Sequence, residues 1–158
     1  MAEDKTSSRS GSKELEVFSK FITDKGLKST RQREVILETF IEADKHIDVE
    51  ELHRRVRRRA PNIGHATVYR TMKLLLEAGL AQEHNFGDGV TRYERTARKT
   101  HHDHLICSSC GLIVEFTNEQ IEELQEQIAG GLGFNILEHK LEIYGTCNKT
   151  HPRCPHLN

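Results

Sequence analysis

Residues 100–111 read THHDHLICSSCG, and no other stretch constrains the fold of this chain so tightly. Cys107 and Cys110, with two residues between them, form a knuckle that can aim both sulfurs at one ion. A second pair, Cys147 and Cys154, would close a tetrahedron, the geometry zinc prefers in structural sites. Such a site ties the start of a small module to its end and supports a domain too small to rely on its core alone. The gap of six residues between Cys147 and Cys154 is wide, with His151 inside it and His156 just beyond. Cys107, Cys110 and Cys147 are therefore the firmer ligands, and Cys154 or one of those histidines completes the set.

Just before the knuckle, His101, His102, Asp103 and His104 are consecutive. On a strand over residues 100–107, side chains alternate between faces, so His101 and Asp103 point one way and His102 and His104 the other. Each pair is incomplete and must recruit donors from elsewhere. Glu115, Glu122 and His139 are available in the same half of the chain; His46 and Glu94 stand out in the front half. Mixed imidazole and carboxylate sets suit Fe(II), Mn(II), Co(II) or Zn(II), whereas thiolates suit zinc. Two imidazole and carboxylate sets, chemically distinct from the cysteine set, are expected to meet it on this one strand.

The remaining composition narrows the class. The N-terminus, MAEDKTSSRSGSK, lacks the apolar centre of a secretory signal, and no apolar run approaches the ~20 residues that span a bilayer. A cytoplasmic location is expected, where cysteines rarely form disulfides. Charge is uneven: 16 Lys and Arg face 14 Asp and Glu through Phe86, against 7 and 10 from Gly87 onward. The mildly basic front half is the one suited to a polyanion.

Residues 1–12 read as a disordered leader, and 13–95 read as a DNA-binding module. Leu15, Phe18, Phe21 and Ile22 recur at helical spacing, with Gly26 as the stop. A second helix has Ser29 or Thr30 as N-cap and Val35, Ile36, Phe40 and Ile41 on its apolar face. Asp48 caps a third, with Glu51 as capping-box partner, Leu52 and Val56 inward and Pro61 beyond its end. A fourth over residues 65–78 turns Val68, Met72, Leu75 and Leu76 inward and stops at Gly79. Two short alternating runs around Gly87-Asp88-Gly89 signal a hairpin. Helices followed by a hairpin give the order of a winged helix-turn-helix.

After a linker over 96–100, the segment 101–158 reads as a small α/β module. Two short strands, a helix capped by Asn118 with Ile121, Leu124 and Ile128 inward, and a long alternating strand over 134–147 are expected. The fold class is therefore α+β, an N-terminal winged helix-turn-helix followed by a small α/β domain.

The segment HATVYRTMKLL followed by HHDHLICSSCG resembles the ferric uptake regulator (Fur) family, and the match extends over roughly residues 15–154. The resemblance implies a homodimeric transcription factor, with a tetramer as a further assembly, whose winged helix binds double-stranded operator DNA and whose C-terminal domain dimerises and holds metals. It implies a regulatory site of His46, Glu94, His102, His104 and Glu115. It places His101, Asp103, Glu122 and His139 in a second site, and Cys107, Cys110, Cys147 and Cys154 around structural Zn(II). Peroxide sensors of this family carry aspartates where Glu94 and Glu115 stand, and its zinc sensors place a cysteine in the sensing site. The sequence thus favours an Fe(II)-corepressed repressor of iron-uptake genes, with Mn(II), Co(II) or Zn(II) as substitutes.

For DNA contact, the fourth helix leaves Tyr69, Arg70 and Lys73 outward. Tyr69 can pack on thymine methyls, and Arg70 can reach a guanine edge or a phosphate. The resemblance singles out Tyr69 and Arg70 and adds Lys28 for an A/T-rich minor groove, whose narrowness deepens its negative potential. The arginine cluster over 54–59 reads as a solvated face or a phosphate contact. A metalloenzyme is the competing class, but no nucleophile or general-base motif accompanies the ligands, so no enzymatic activity is expected.

Overall fold

The computed structural model describes residues 4–43, 46–97 and 101–148, with side chains from residue 11 onward. The chain divides into two compact units, Met1–Lys99 and Thr100–Asn158. The division falls inside the expected linker, of which residues 98–100 lie outside the described part.

The first unit comprises α1 (Asp4–Asp24), α2 (Arg31–Ile41), β1 (Ile47–Asp48), α3 (Val49–Arg59), α4 (His65–Glu77), β2 (Ala81–Asn85) and β3 (Thr91–Arg95). Its strands form an antiparallel sheet in the order β1-β3-β2. Local chemistry sets the helix ends. Thr30 Oγ1 accepts from Arg33 N, so Thr30, rather than Ser29, caps α2. Asp48 Oδ1 accepts from Glu51 N at 2.8 Å, and positive φ at Gly26 and Gly79 lets the chain leave α1 and α4. Glu51 does not return to the cap as the capping-box reading expects. Its carboxylate is taken by Arg54 and Arg55, the latter at 2.7 Å, and the Arg55 hydrogen bond holds its pKa below the usual carboxylate range. Phe18, Ile22, Ile36, Phe40, Leu52, Val56, Val68, Met72 and Leu75 interlock in one core that joins all four helices.

One feature departs from expectation here, and another is one the sequence reading did not reach. Residues 4–12, read as a disordered leader, are the first turns of α1. Once residues 13–24 are helical and packed through Phe18 and Ile22, extending the helix backward avoids the cost of a new nucleus, which outweighs the weak propensity of a Ser-rich segment. Gly11 sits close enough to α2 that a Cβ there would lie 3.8 Å from Ile41 Cγ2. The second feature is an ion pair across most of the unit. Arg95 Nη2 and Nε reach the buried Glu14 carboxylate at 2.6 and 3.1 Å, and Nη1 donates to Ile41 O at 3.2 Å. The pair ties α1 to the last strand. Glu14→Ala should therefore lower stability by about 3 kcal/mol, the lower end for breaking a buried pair. Urea denaturation of the two proteins checks this; a loss under ~1 kcal/mol would place the pair among solvent-exposed ones.

The second unit comprises β4 (Asp103–Cys107), β5 (Ile113–Phe116), α5 (Glu119–Gly131) and β6 (Glu142–Gly145). The sheet order is β5-β4-β6, with β4 antiparallel to β5 and parallel to β6. Asn118 caps α5 by accepting from Gln120 and Ile121 N. The expected long strand over 134–147 is confined to Glu142–Gly145. Its upstream residues have no length of β4 to pair with, because β4 begins only at Asp103. Leu124 and Ile128, expected to face inward, are each 55% exposed, and Phe134 and Leu137 lie exposed beyond them. Among the described residues, no helix is long and apolar enough to cross a membrane.

Candidate metal centres

The sheet of the second unit builds two of the expected sets from its central strand. His101 and His102 precede β4 rather than lying within it, yet the alternation persists. On one side His101 Nε2 lies 3.1 Å from Asp103 Oδ1 and 3.3 Å from Glu122 Oε1, and His139 Nε2 lies 3.2 Å from Glu122 Oε2. One donor atom from each of these four residues falls within 4.8 Å of all the others. His139 comes from the chain before β6, not from a strand. Asp103 is fully buried, and its Oδ2 has no hydrogen-bond partner among the described residues. An ionised carboxylate in such a place is costly unless a cation compensates it. In a shell with ~2.1 Å bonds, neighbouring donors stand about 3.0 Å (octahedral) to 3.4 Å (tetrahedral) apart. The spacings of this set fit a divalent ion.

On the other side the rings of His102 and His104 stand 5.0 Å apart, nearly perpendicular. His104 is buried and lies in register with Glu115 on β5 and with Glu142 on β6, so both carboxylates share its face. Glu142 is a residue the sequence reading missed. Burial raises its pKa, but Lys140 at 2.6 Å, the Tyr144 hydroxyl at 2.6 Å and nearby His104 outweigh that and hold it below the usual range.

The thiols gather where β4 turns into β5. Gly111, at φ 71°, and the Gly111 N to Cys107 O bond of 2.9 Å close the knuckle. Cys147, just past β6, brings its Sγ to 3.6 Å from Cys110 Sγ, and its N–H donates to Cys107 Sγ. That separation far exceeds a disulfide bond of ~2.05 Å and is close to the roughly 3.8 Å edge of a tetrahedron with ~2.3 Å Zn–S bonds. The Ser109 hydroxyl and the Cys147 N–H bring the Cys107 pKa down to about 5. The Leu112 N–H also favours the Cys110 thiolate, but burial and the Cys107 and Cys147 sulfurs prevail and push it up to about 12. Adjacent thiols share one negative charge between them; a divalent cation lets each be a thiolate. Cys154, with His151 and His156, lies outside the described residues.

In the first unit His46 and Glu94 do come together, and a third donor that the sequence reading missed, His84, joins them. Both imidazole Nε2 atoms lie 3.4 Å from Glu94 Oε2. The missed residue has a sequence signal, since His84 and Glu94 flank the hairpin. Only the register, which pairs His84 with Arg92 and Gln82 with Glu94, puts them on one face.

The residues expected to contact DNA are all on the surface of the first unit. Tyr69 is 44% exposed, with Lys73 Nζ 5.0 Å over its ring, and Arg70 and Lys28 are exposed. A groove of about 480 Å³ between α2 and α4 is lined by Arg33, Arg70 and Lys73, among others. Much of the arginine cluster is neutralised within the unit, with Arg54 and Arg55 on Glu51 and Arg59 on Glu38 and Glu42.

Residues 24–144 match the ferric uptake regulator family. A ferric uptake regulation protein of Campylobacter jejuni is 44% identical over 135 residues, covering 84% of this chain and 85% of that one. The Helicobacter pylori ferric uptake regulator, whose structure is described as revealing three functional metal binding sites, superposes with a TM-score of 0.79. It is 28% identical and covers 88% of this chain and 92% of its own. A zinc-bound manganese uptake regulator is 42% identical with a TM-score of 0.65, covering 83% and 98%. A winged-helix unit, a small sheet carrying three donor sets and this breadth of likeness converge: the chain belongs to the ferric uptake regulator family of metal-responsive transcription regulators, which are not enzymes.

Proposed function

We propose that this protein is a cytoplasmic, Fe(II)-corepressed repressor of iron-uptake genes that acts as a homodimer on A/T-rich palindromic operators. The observation that carries the reading is the division of donors between the units. His46 and Glu94 lie on the wing side of the DNA-binding unit, and His102, His104 and Glu115 share one side of the second unit's sheet. The proposed regulatory set takes all five. A divalent ion held by such a set supplies a cross-link that fixes one angle between the units. In a dimer that angle sets the spacing of the two α4 helices, which must match half-sites along the DNA. Without it only a fraction of molecules is competent to bind.

Other parts of the proposal have their own support. The exposed Leu124 and Ile128 on α5, with Phe134 and Leu137 just beyond it in the chain, suit burial against a second copy, because exposed apolar side chains that gather in one region mark interaction sites. Structural Zn(II) on Cys107, Cys110 and Cys147 is supported by their spacing, with Cys154 as the proposed fourth ligand. His101, Asp103, Glu122 and His139 are the donors of a second divalent-ion site, supported by their clustering. Glutamates at 94 and 115 favour iron over peroxide sensing. Likeness to a manganese uptake regulator makes Mn(II) the second reading of the corepressor. Operator titrations under anaerobic Fe(II), Mn(II) and Zn(II), each repeated with chelator, decide among them. Binding that is indifferent to all three and to chelator would end the proposal.

Contact by Lys28, Tyr69 and Arg70 is tested at Tyr69. Tyr69→Ala should weaken operator binding by about 1–2 kcal/mol, roughly 5–30-fold, while Tyr69→Phe, which keeps the ring against thymine methyls, should lose less. Unchanged affinity and base preference in both variants would remove Tyr69 from the interface.

A further inference from the structure

The wing sheet brings together one donor more than the regulatory set requires. Ile47 pairs with Tyr93, so the next step along that ladder puts His46 beside Glu94. On the other side of β3, His84 pairs with Arg92, one diagonal step from Glu94. Side chains two residues apart on a strand share a face, so His84 on β2 and Glu94 on β3 converge with His46, which immediately precedes β1, all within a single unit. We propose that His84 is a metal ligand, and that His46, His84 and Glu94 form a three-donor divalent-cation site contained within the winged-helix unit, which holds the regulatory ion even without the second unit's donors. This rests on the regulatory reading of His46 and Glu94 and deepens it.

Three observations carry the inference. The first is distance. His46 Nε2 and His84 Nε2 each stand 3.4 Å from the same oxygen, Glu94 Oε2. That is longer than the ~2.7–3.2 Å of a good N–H···O hydrogen bond and equals the roughly 3.4 Å edge of a tetrahedral shell with ~2.1 Å bonds. The second is the chemistry of the set, in which two imidazoles and one carboxylate, with Glu94 only 5% exposed, are the donors of a three-ligand site with open positions. The third is support. The two rings stand 4.8 Å apart at 85°, and the buried Phe86 holds both. Phe86 stacks on His84 with an interplanar angle of 12° and meets His46 edge-on at 5.6 Å. Rings oriented by neighbouring groups make a preorganised site.

The ion would then load in two stages. The wing captures it with three donors, and His102, His104 and Glu115 complete the set. Affinity would therefore depend on a residue outside the five-donor regulatory set.

The test uses full-length, zinc-loaded protein and Co(II) as the probe, followed by hyperfine-shifted imidazole NMR signals and by d–d absorption. In the His102→Ala/His104→Ala protein, Co(II) should still bind, more weakly, and shift the ring signals of both His46 and His84. Adding His84→Ala should weaken that binding at least tenfold and leave only His46 shifted. The inference is overturned if the His84 ring signals do not move in the protein that retains His84, or if His84→Ala leaves Co(II) affinity unchanged. His84→Gln, which keeps a polar side chain of similar reach, should lose affinity as His84→Ala does; wild-type affinity in that variant would also overturn it. The regulatory reading has a separate readout, since it fails if the His102→Ala/His104→Ala protein still binds operator in a metal-dependent way.

Discussion

Replacing His102 and His104 together with alanine should abolish metal-dependent operator binding while leaving a folded, zinc-containing protein. His104 is on the central strand of the second unit's sheet and is buried, so it cannot be replaced as a ligand by a mobile surface side chain. His102 lies beside it, its ring 5.0 Å away. Glu115 alone would remain from that unit's contribution to the proposed set. The expected effect is the whole of the coupling between metal and DNA, typically ~1–3 kcal/mol or about 5–150-fold in affinity. Metal-loaded variant should bind operator no better than metal-free wild type. The fold should survive, because Glu142, the other carboxylate on that face, is already held by Lys140 and Tyr144, and the thiol cluster is untouched. Operator titration with and without Fe(II), alongside circular dichroism and zinc analysis, measures each part. A variant that keeps its metal response would show the regulatory set to be wrongly drawn.

What could be read from the sequence was mostly what depends on near neighbours. Thr30 and Asp48 cap helices through bonds spanning three residues, and Gly26 and Gly79 end helices through their own φ angles. The separation of His101 and Asp103 from His102 and His104 follows from strand alternation, and it holds although β4 starts only at Asp103. The features that escaped depend on register or on distant pairing. His84 joins His46 and Glu94 only because β2 and β3 pair in one register, and a slip of one residue would turn it to the other face. Glu142 shares a face with His104 through a parallel pairing across α5. Glu14 and Arg95 are 81 residues apart. An alternating pattern over 134–147 promised a strand, but a strand exists only where a partner offers hydrogen bonds. The apolar stripe of α5 was legible as apolar; whether it packs on its own unit or on another chain is not encoded in its periodicity.

Removing the proposed zinc from the cysteine cluster should have the largest effect on stability, and it should unfold the second unit alone. Among the described residues of that unit, only Asp103, His104, Ile106 and Cys107 are buried, and two of these four are polar. So small an apolar core cannot offset the conformational entropy of ordering the unit. In the proposed zinc site the thiols would hold what the core cannot. Cys107 ends β4, Cys110 lies in the turn to β5, and Cys147 follows β6, so one ion would fasten all three strands. Structural zinc sites contribute about 10–16 kcal/mol of apparent binding free energy, which appears directly as folding free energy. The first unit differs, with a core running from Phe18 to Tyr93 through all four helices and none of the cysteines. Cys107→Ser/Cys110→Ser, or exhaustive chelation of the wild type, should therefore melt the strands of the second unit and leave the helices of the first. Hydrogen exchange resolved by residue measures this, with protection lost across β4, β5 and β6 and kept in α2, α3 and α4. Protection retained in β4 after zinc is gone would mean that the sheet stands without its clip; protection lost in both units together would mean that they fold as one.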